Sequence, residues 1–173
     1  KQLRDPAHQR DAFAQVVNFY GEKLYWQIRK MVLDHDDAND LLQNTSLKAW
    51  MNIDYFRGEA KLSTWLYKIA INECITFLNR QRMQNNVSID DTDVFLLECL
   101  KGDEYFDGDA AQMKLQKAIL TLPEKQRAVF NMKYFDDMKY EDMSEIFGTS
   151  VGALKASYHH AVKKVEEFLT KDI

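Results

Sequence analysis

The segment Tyr140-Glu-Asp-Met-Ser-Glu-Ile-Phe-Gly-Thr-Ser-Val-Gly-Ala-Leu-Lys-Ala-Ser-Tyr-His-His160 leaves its backbone few choices. Met143, Ile146 and Phe147 fall on one face of a short helix. Val151, Leu154, Tyr158 and Val162 recur at helical spacing in a longer one. Only Gly148-Thr149-Ser150 lies between them, so the connection is a tight turn. Ser150 is placed to cap the second helix, its hydroxyl accepting an orphan backbone N–H. Two amphipathic helices joined by a short Gly-containing turn are the sequence form of a helix-turn-helix, whose second helix enters the major groove of DNA. An ordinary αα-hairpin inside a bundle has the same pattern. Lys155, His159, His160 and Lys163 on the exposed side of the second helix favour DNA. Adjacent residues point about 100° apart on a helix, so His159 and His160 are not expected to share one face.

The rest of the chain has the same helical character. No strand-period alternation and no Asn-Gly hairpin signal occurs, and only 2 Pro and 6 Gly interrupt 173 residues. The expected class is all-α, two small helical domains joined by an acidic linker. The hydrophobic fraction of 46% is enough for a core. A first helical segment from about Ala7 to Asp34 carries Phe13, Val16, Val17, Tyr20, Leu24, Ile28, Met31 and Val32 on one side, with Gly21 expected to break or bend it. A second starts at Asp36 or Asp37, where acidic residues suit the helix dipole, and runs past Trp50. After the loop around Phe56-Arg-Gly-Glu-Ala60, a long helix spans about Leu62 to Arg82. These segments make a first domain, 1–84.

Net charge is −4, which by itself does not announce nucleic acid, but its distribution is uneven. Between Arg57 and Gln84 five cations stand against two acids. Between Asp90 and Asp109 eight acids stand against the single Lys101. Residues 85–109 therefore read as an acidic linker. It contains one apolar island, Val94, Phe95, Leu96, Leu97 and Leu100, that should dock on folded protein. The second domain, 110–173, opens with a helix carrying Met113, Leu115, Ala118, Ile119 and Leu122. Pro123 follows at the start of the next helix, with Glu124 in its first turn.

Some functions are disfavoured. Cys74 and Cys99 form no C-x-x-C pair and have no His nearby in sequence, so two reduced thiols are expected, with no metal site. There is no phosphate-cradling Gly loop, nucleophile motif or His-rich cluster, and no cofactor is expected. No apolar run approaches the ~20 residues a membrane span needs, and no signal-peptide pattern is present. A cytoplasmic protein without stable membrane insertion is the expectation.

Two further surfaces suggest binding. Phe56, Trp65 and Tyr67 cluster with Arg57, Lys61, Lys68, Arg80 and Arg82 around one loop-helix junction. Cations that hold phosphates and ring faces that stack on unpaired bases suit single-stranded nucleic acid. For Trp65 core packing and nucleic-acid contact are equally open readings; for Lys61 and Lys68 taken alone a solvated face is the plainer one. In the second helix Asp37, Asp40, Gln43, Asn44 and Lys48 line one side, as plain surface or as a docking strip for a helical partner.

In combination these pieces resemble the extracytoplasmic-function group of bacterial RNA polymerase sigma factors, from about Asp11 to Leu169. Asp37-Ala-Asn-Asp-Leu-Leu-Gln-Asn-Thr-Ser-Leu-Lys-Ala-Trp50 looks like that family's second-region helix. Phe56-Arg-Gly-Glu-Ala-Lys-Leu-Ser-Thr-Trp-Leu-Tyr-Lys-Ile-Ala70 is close to the family pattern almost letter for letter. Leu122-Pro-Glu-Lys-Gln-Arg-Ala-Val-Phe130 and Ser150-Val-Gly-Ala-Leu-Lys155 resemble its fourth region.

The resemblance implies a sigma factor that binds core RNA polymerase, recognises −10 and −35 promoter elements, helps melt DNA and dissociates after initiation. It implies no catalytic residues. Asp37, Asp40, Gln43, Asn44 and Lys48 would meet the β′ clamp helices, and the second domain the β flap. Phe56, Arg57, Lys61, Ser63, Thr64, Trp65, Lys68 and Asn72 would contact the −10 element, where the loop flips a base from the stack. Ser150, Ala153, Lys155, Ala156, His159, His160 and Lys163 would contact the −35 element. The linker would follow the polymerase's basic channel toward the RNA exit, and an anti-sigma factor is an implied partner.

The chain departs from the family pattern at Asn44, where Glu is usual, and at Ser157, His160 and Val162, where Arg is usual. Each absent cation removes about one phosphate's worth of salt dependence, so weak intrinsic −35 affinity is expected, with the polymerase supplying the rest by tethering. Two other readings compete: a stand-alone helix-turn-helix regulator of duplex DNA, and an interaction module that has lost DNA binding.

Overall fold

The computed structural model describes residues 1–84, 96, 99, 100 and 109–171. Among these residues there are α-helices and short 3-10 turns, with no strand, as the periodicity requires. The first half holds α1 (Gln9–Val32), α2 (His35–Met51) and α3 (Leu62–Gln84). The second holds α4 (Ala110–Leu120), α5 (Glu124–Tyr134), α6 (Tyr140–Phe147) and α7 (Val151–Thr170).

α1 runs unbroken through Gly21, against the expected bend. Gly costs roughly 1 kcal/mol relative to Ala inside a helix. Just beyond it Leu24, Ile28, Met31 and Val32 are all buried. Each such side chain contributes roughly 1.5–3 kcal/mol, so burial outweighs the local penalty. α2 begins earlier than expected because Asp34 caps it, its carboxylate accepting the Asp37 N–H at 2.9 Å. α1 ends at Leu33, held in the left-handed region at φ 64° with its N–H donating to the Arg29 carbonyl. Pro123 stands one position outside α5, as its N-cap.

The first half is a three-helix packing of α1, α2 and α3 around Leu24, Ile28, Leu41, Leu66, Ile71 and Leu78. That core continues into the second half through Leu120, Val129, Met132, Met143, Ile146 and Leu154. A smaller core of Ile119, Leu122, Phe130, Ala161 and Val165 holds α4, α5 and α7 together. Separate segments in sequence thus close on one another in space. From the apolar island, Leu96 and Leu100 are buried in the larger core, as docking required. Val94, Phe95 and Leu97, with most of the acidic linker, lie outside the described residues.

Cys74 and Cys99 are both free thiols. Burial, reinforced by the neighbouring Glu73 charge, pushes the Cys74 thiol up to about 12, so it is unreactive as a nucleophile. Among the described residues no helix is long and apolar enough to cross a membrane, and no His, Cys, Asp and Glu group gathers to hold a metal.

Candidate nucleic-acid interface

α6 and α7 form the helix-turn-helix. α6 ends at Gly148, whose φ of 65° is the left-handed conformation that a side chain disfavours. Ser150 then caps α7, its hydroxyl accepting the Ala153 N–H at 3.1 Å. Met143, Ile146, Leu154, Ala161 and Val165 turn inward, with Tyr158 beside them. Val151 and Val162 are only half-buried, so the inward stripe of α7 is narrower than the sequence pattern suggested. The opposite face presents Ser150, Ala153, Lys155, Ala156, His159, His160 and Lys163, every one exposed. His159 and His160 lie closer than their 100° separation implied, with ring centroids 6.1 Å apart. The Lys155 ammonium rests 5.7 Å from the Tyr140 ring centroid, a cation–π contact that joins the two helices.

The second surface lies at the entrance to α3. Gly58, at φ 76°, turns the loop between Phe56 and Lys61. Phe56 and Trp65 meet with ring centroids 5.1 Å apart. Trp65 is half-buried against the core, so it both packs inward and borders the loop. Arg57, Lys61, Lys68 and Asn72 are exposed; Lys61 closes the loop just before α3, and Lys68 and Asn72 share the outer face of that helix. Ser63 is half-buried. Thr64 is 4% exposed and faces the core, so the fold does not bring it to the surface with the others. Tyr67 turns toward the second half, where burial raises its phenol above the ordinary range. Arg80 is exposed, whereas Arg82 is drawn into an ion pair with Glu124.

The third surface is the outer side of α2. Asp40, Gln43 and Asn44 are exposed and in line. Asp37 is half-buried. Desolvation, then the nearby Asp34, Asp40 and Asp36 charges, raises its carboxyl above the usual range. Lys48 is exposed but pairs with Glu73 of α3. Leu47 and Met51 extend the strip as 57% and 69% exposed apolar side chains. Sequence reading passed over them, although their i+7 and i+11 spacing from Asp40 carries the signal.

The halves meet between these surfaces. The Lys61 ammonium lies 3.3 Å from the Asp142 carboxylate of α6. Gln27 donates to Asp136, Lys30 stands 4.0 Å from the same carboxylate, and Arg127 donates to the Met31 carbonyl at 3.3 Å. Lys30 also sits 4.4 Å from the Phe135 ring centroid.

A helix-turn-helix packed on a helical half that bears an aromatic and basic loop defines a two-part nucleic-acid-binding protein. Residues 16–83 match the family described as Sigma-70 region 2, and residues 112–165 match Sigma-70, region 4. The chain is 30% identical over 158 residues to the ECF RNA polymerase sigma factor SigW of Bacillus subtilis strain 168, covering 87% of this chain and 84% of that protein. It is 30% identical over 141 residues to the RNA polymerase sigma factor SigV of the same organism, covering 82% and 81% respectively. In fold it is similar to the sigma factor RpoE solved with the anti-sigma factor NepR from Bartonella quintana. That match has a TM-score of 0.70 at 23% identity and covers 94% of this chain and 99% of that one. The chain belongs to the extracytoplasmic-function family of RNA polymerase sigma factors. It is an alternative sigma factor of transcription initiation.

Proposed function

We propose that this sigma factor docks on core RNA polymerase through the outer side of α2, engages the −10 element through the loop at Arg57 and the outer face of α3, and reads the −35 element through α7. One observation carries this reading: three exposed surfaces of matching chemistry sit on three different helices of one packed body. The α2 strip is acidic and amide-rich with two apolar side chains, suited to a helical protein partner. The α3 entrance combines cations with two aromatic rings in contact, suited to bases that have left the duplex. The α7 face belongs to a helix-turn-helix, suited to a major groove.

The protein then supplies specificity and no catalytic group of its own, acting in the cytoplasm with the β′ clamp helices and β flap as its polymerase contacts. A regulator of the anti-sigma kind is a further expected partner, by analogy with the complex of RpoE and NepR. The packed arrangement suits an idle state, because Lys61 must leave Asp142 before it can hold a phosphate. The stand-alone duplex regulator finds less support, since it has no use for an aromatic loop beside its helix-turn-helix.

The test is capture of core RNA polymerase by the wild-type chain and by the double variant Asp40→Arg, Gln43→Ala. Both residues are exposed, so the variant should fold. Capture that the double change abolishes supports the docking surface. Folded wild-type protein that fails to bind core overturns it.

A further inference from the structure

We propose that the segment preceding α1 forms part of the surface that captures an unstacked base, with Arg4 as the residue that closes it. This rests on the reading above, in which the Arg57 loop meets melted DNA.

Residues Gln2–Arg4 form one 3-10 turn that lies against that loop. The Arg4 guanidinium donates to the Arg57 carbonyl. The Gln9 amide group fastens the other end of the segment, donating to the Leu3 carbonyl at 3.0 Å and to the Asp54 carboxylate at 2.9 Å. Asp54 belongs to the turn Ile53–Tyr55 that leads into the loop. The segment is thus tied to the loop backbone directly by Arg4 and, through Gln9, to the Asp54 side chain.

Between them lies an open cleft of about 400 Å³, lined by Leu3, Arg4, Ile53, Asp54, Phe56 and Arg57. A nucleobase is flat, apolar on its faces, and carries donors and acceptors along its edge. The cleft offers the complement of each part. Leu3, Ile53 and Phe56 supply apolar contact. Arg4 and Arg57 supply planar guanidinium groups that stack on aromatic faces and donate to carbonyl or ring-nitrogen acceptors. Asp54 supplies an acceptor for an amino or imino N–H. Two guanidinium groups against one carboxylate leave the cleft net positive, as the phosphates flanking a captured base require.

Gly58 ties this geometry to the loop. A Cβ built there would stand 3.2 Å from the Arg4 Nη2, and the backbone adopts φ 76° at that position. The loop therefore passes directly beneath Arg4, at a separation that a larger residue would disturb. Nothing in the sequence joins Arg4 to residue 58, which is why the contact appears only in the fold.

The experiment uses the full chain assembled with core RNA polymerase and a pool of single-stranded DNA 12-mers randomised at every position. The wild type and the variants Arg4→Ala and Arg4→Lys each select from the pool, and affinity for the wild type's best sequence is then measured. Arg4→Ala is expected to lose base preference at one position, to keep it elsewhere, and to bind the best sequence about tenfold more weakly. Arg4→Lys keeps the charge and can still reach the Arg57 carbonyl, but has no planar group. It is expected to recover affinity without recovering the preference. The proposal is overturned if Arg4→Ala selects the same sequences, if it weakens all sequences alike, or if Arg4→Lys restores the preference. Wild-type protein that binds core and selects no sequence overturns the −10 reading itself, and this proposal with it.

Discussion

Lys61, at the entrance to α3, is joined to Asp142 in the first helix of the helix-turn-helix at 3.3 Å. The pair bridges the two halves, yet it does little to hold them. The Lys61 side chain is 64% exposed, and an ion pair so placed contributes about 0–1 kcal/mol. Arg127 is the stronger tie. It is 2% exposed in α5 and donates to the Met31 carbonyl at the end of α1. Asp142→Asn should therefore change stability by less than about 1 kcal/mol. Arg127→Ala should cost roughly 2–4 kcal/mol, since it removes a buried charged hydrogen bond and leaves a void. Urea unfolding of the three proteins decides between them, and equal losses would refute the ranking.

Asp136 gives the contact a pH dependence. Desolvation between the halves raises its carboxyl above the ordinary value of 3.8, and the opposing effects of Lys30 and the Gln27 amide do not reverse this. A raised folded-state value means that the folded chain holds the proton more tightly than the unfolded chain. The resulting stability is fully present below 3.8 and is lost as pH rises through the raised value. Asp136→Asn removes this dependence while retaining an acceptor for Gln27. Stability of the wild type relative to Asp136→Asn should rise as pH falls from 7 toward 4. Denaturant midpoints at pH 7, 5 and 4 measure it, and a pH-independent difference would sink the assignment.

The helix pattern was legible in the sequence because each buried stripe recurs at helical spacing, and the Ser150 cap followed from local chemistry alone. What joins the halves was not. Arg127 sits in the run Leu122-Pro-Glu-Lys-Gln-Arg, where an arginine reads as surface, and it is buried only because Met31, distant in sequence, folds over it. Gly21 misled in the opposite direction, since a local penalty was weighed without the burial that follows it. Thr64 failed as a surface residue for a related reason. Arg57, Lys61 and Lys68 of the same motif reach solvent, but helical periodicity turns the Thr64 side chain toward the core.

Leu47 and Met51 should matter to polymerase docking more than to folding. Their exposures of 57% and 69% mean that neither fills the core. Fully burying an apolar side chain of this size in a protein contact is worth roughly 1.5–3 kcal/mol, whereas an exposed substitution usually changes stability by under ~0.5 kcal/mol. Leu47→Ser with Met51→Ser should reduce affinity for core polymerase roughly tenfold with an unchanged melting temperature. A pull-down titration beside a thermal melt tests both halves of the statement. Unchanged affinity would confine docking to the polar part of the strip.

The helix-turn-helix should be restorable to stronger DNA binding at one of the three positions where arginine is absent. His160 is exposed on the outer side of α7, so an arginine there reaches solvent without disturbing the fold. Ser157 and Val162 are half-buried, and the Ser157 carbonyl already accepts from Gln126 at 3.5 Å. Arginine at those sites would have to displace packing before it met a phosphate. Each phosphate neutralised steepens the dependence of log affinity on log salt by about 0.9 for duplex DNA. His160→Arg should therefore steepen the slope by about that amount, and Val162→Arg by clearly less. Fluorescence anisotropy of the full chain on a labelled duplex between 50 and 200 mM salt, a range chosen because phosphate contacts weaken strongly across it, provides both slopes. Equal slopes for the two variants would mean that half-burial at Val162 does not keep a cation from the DNA, and the geometric distinction between the two positions would fall.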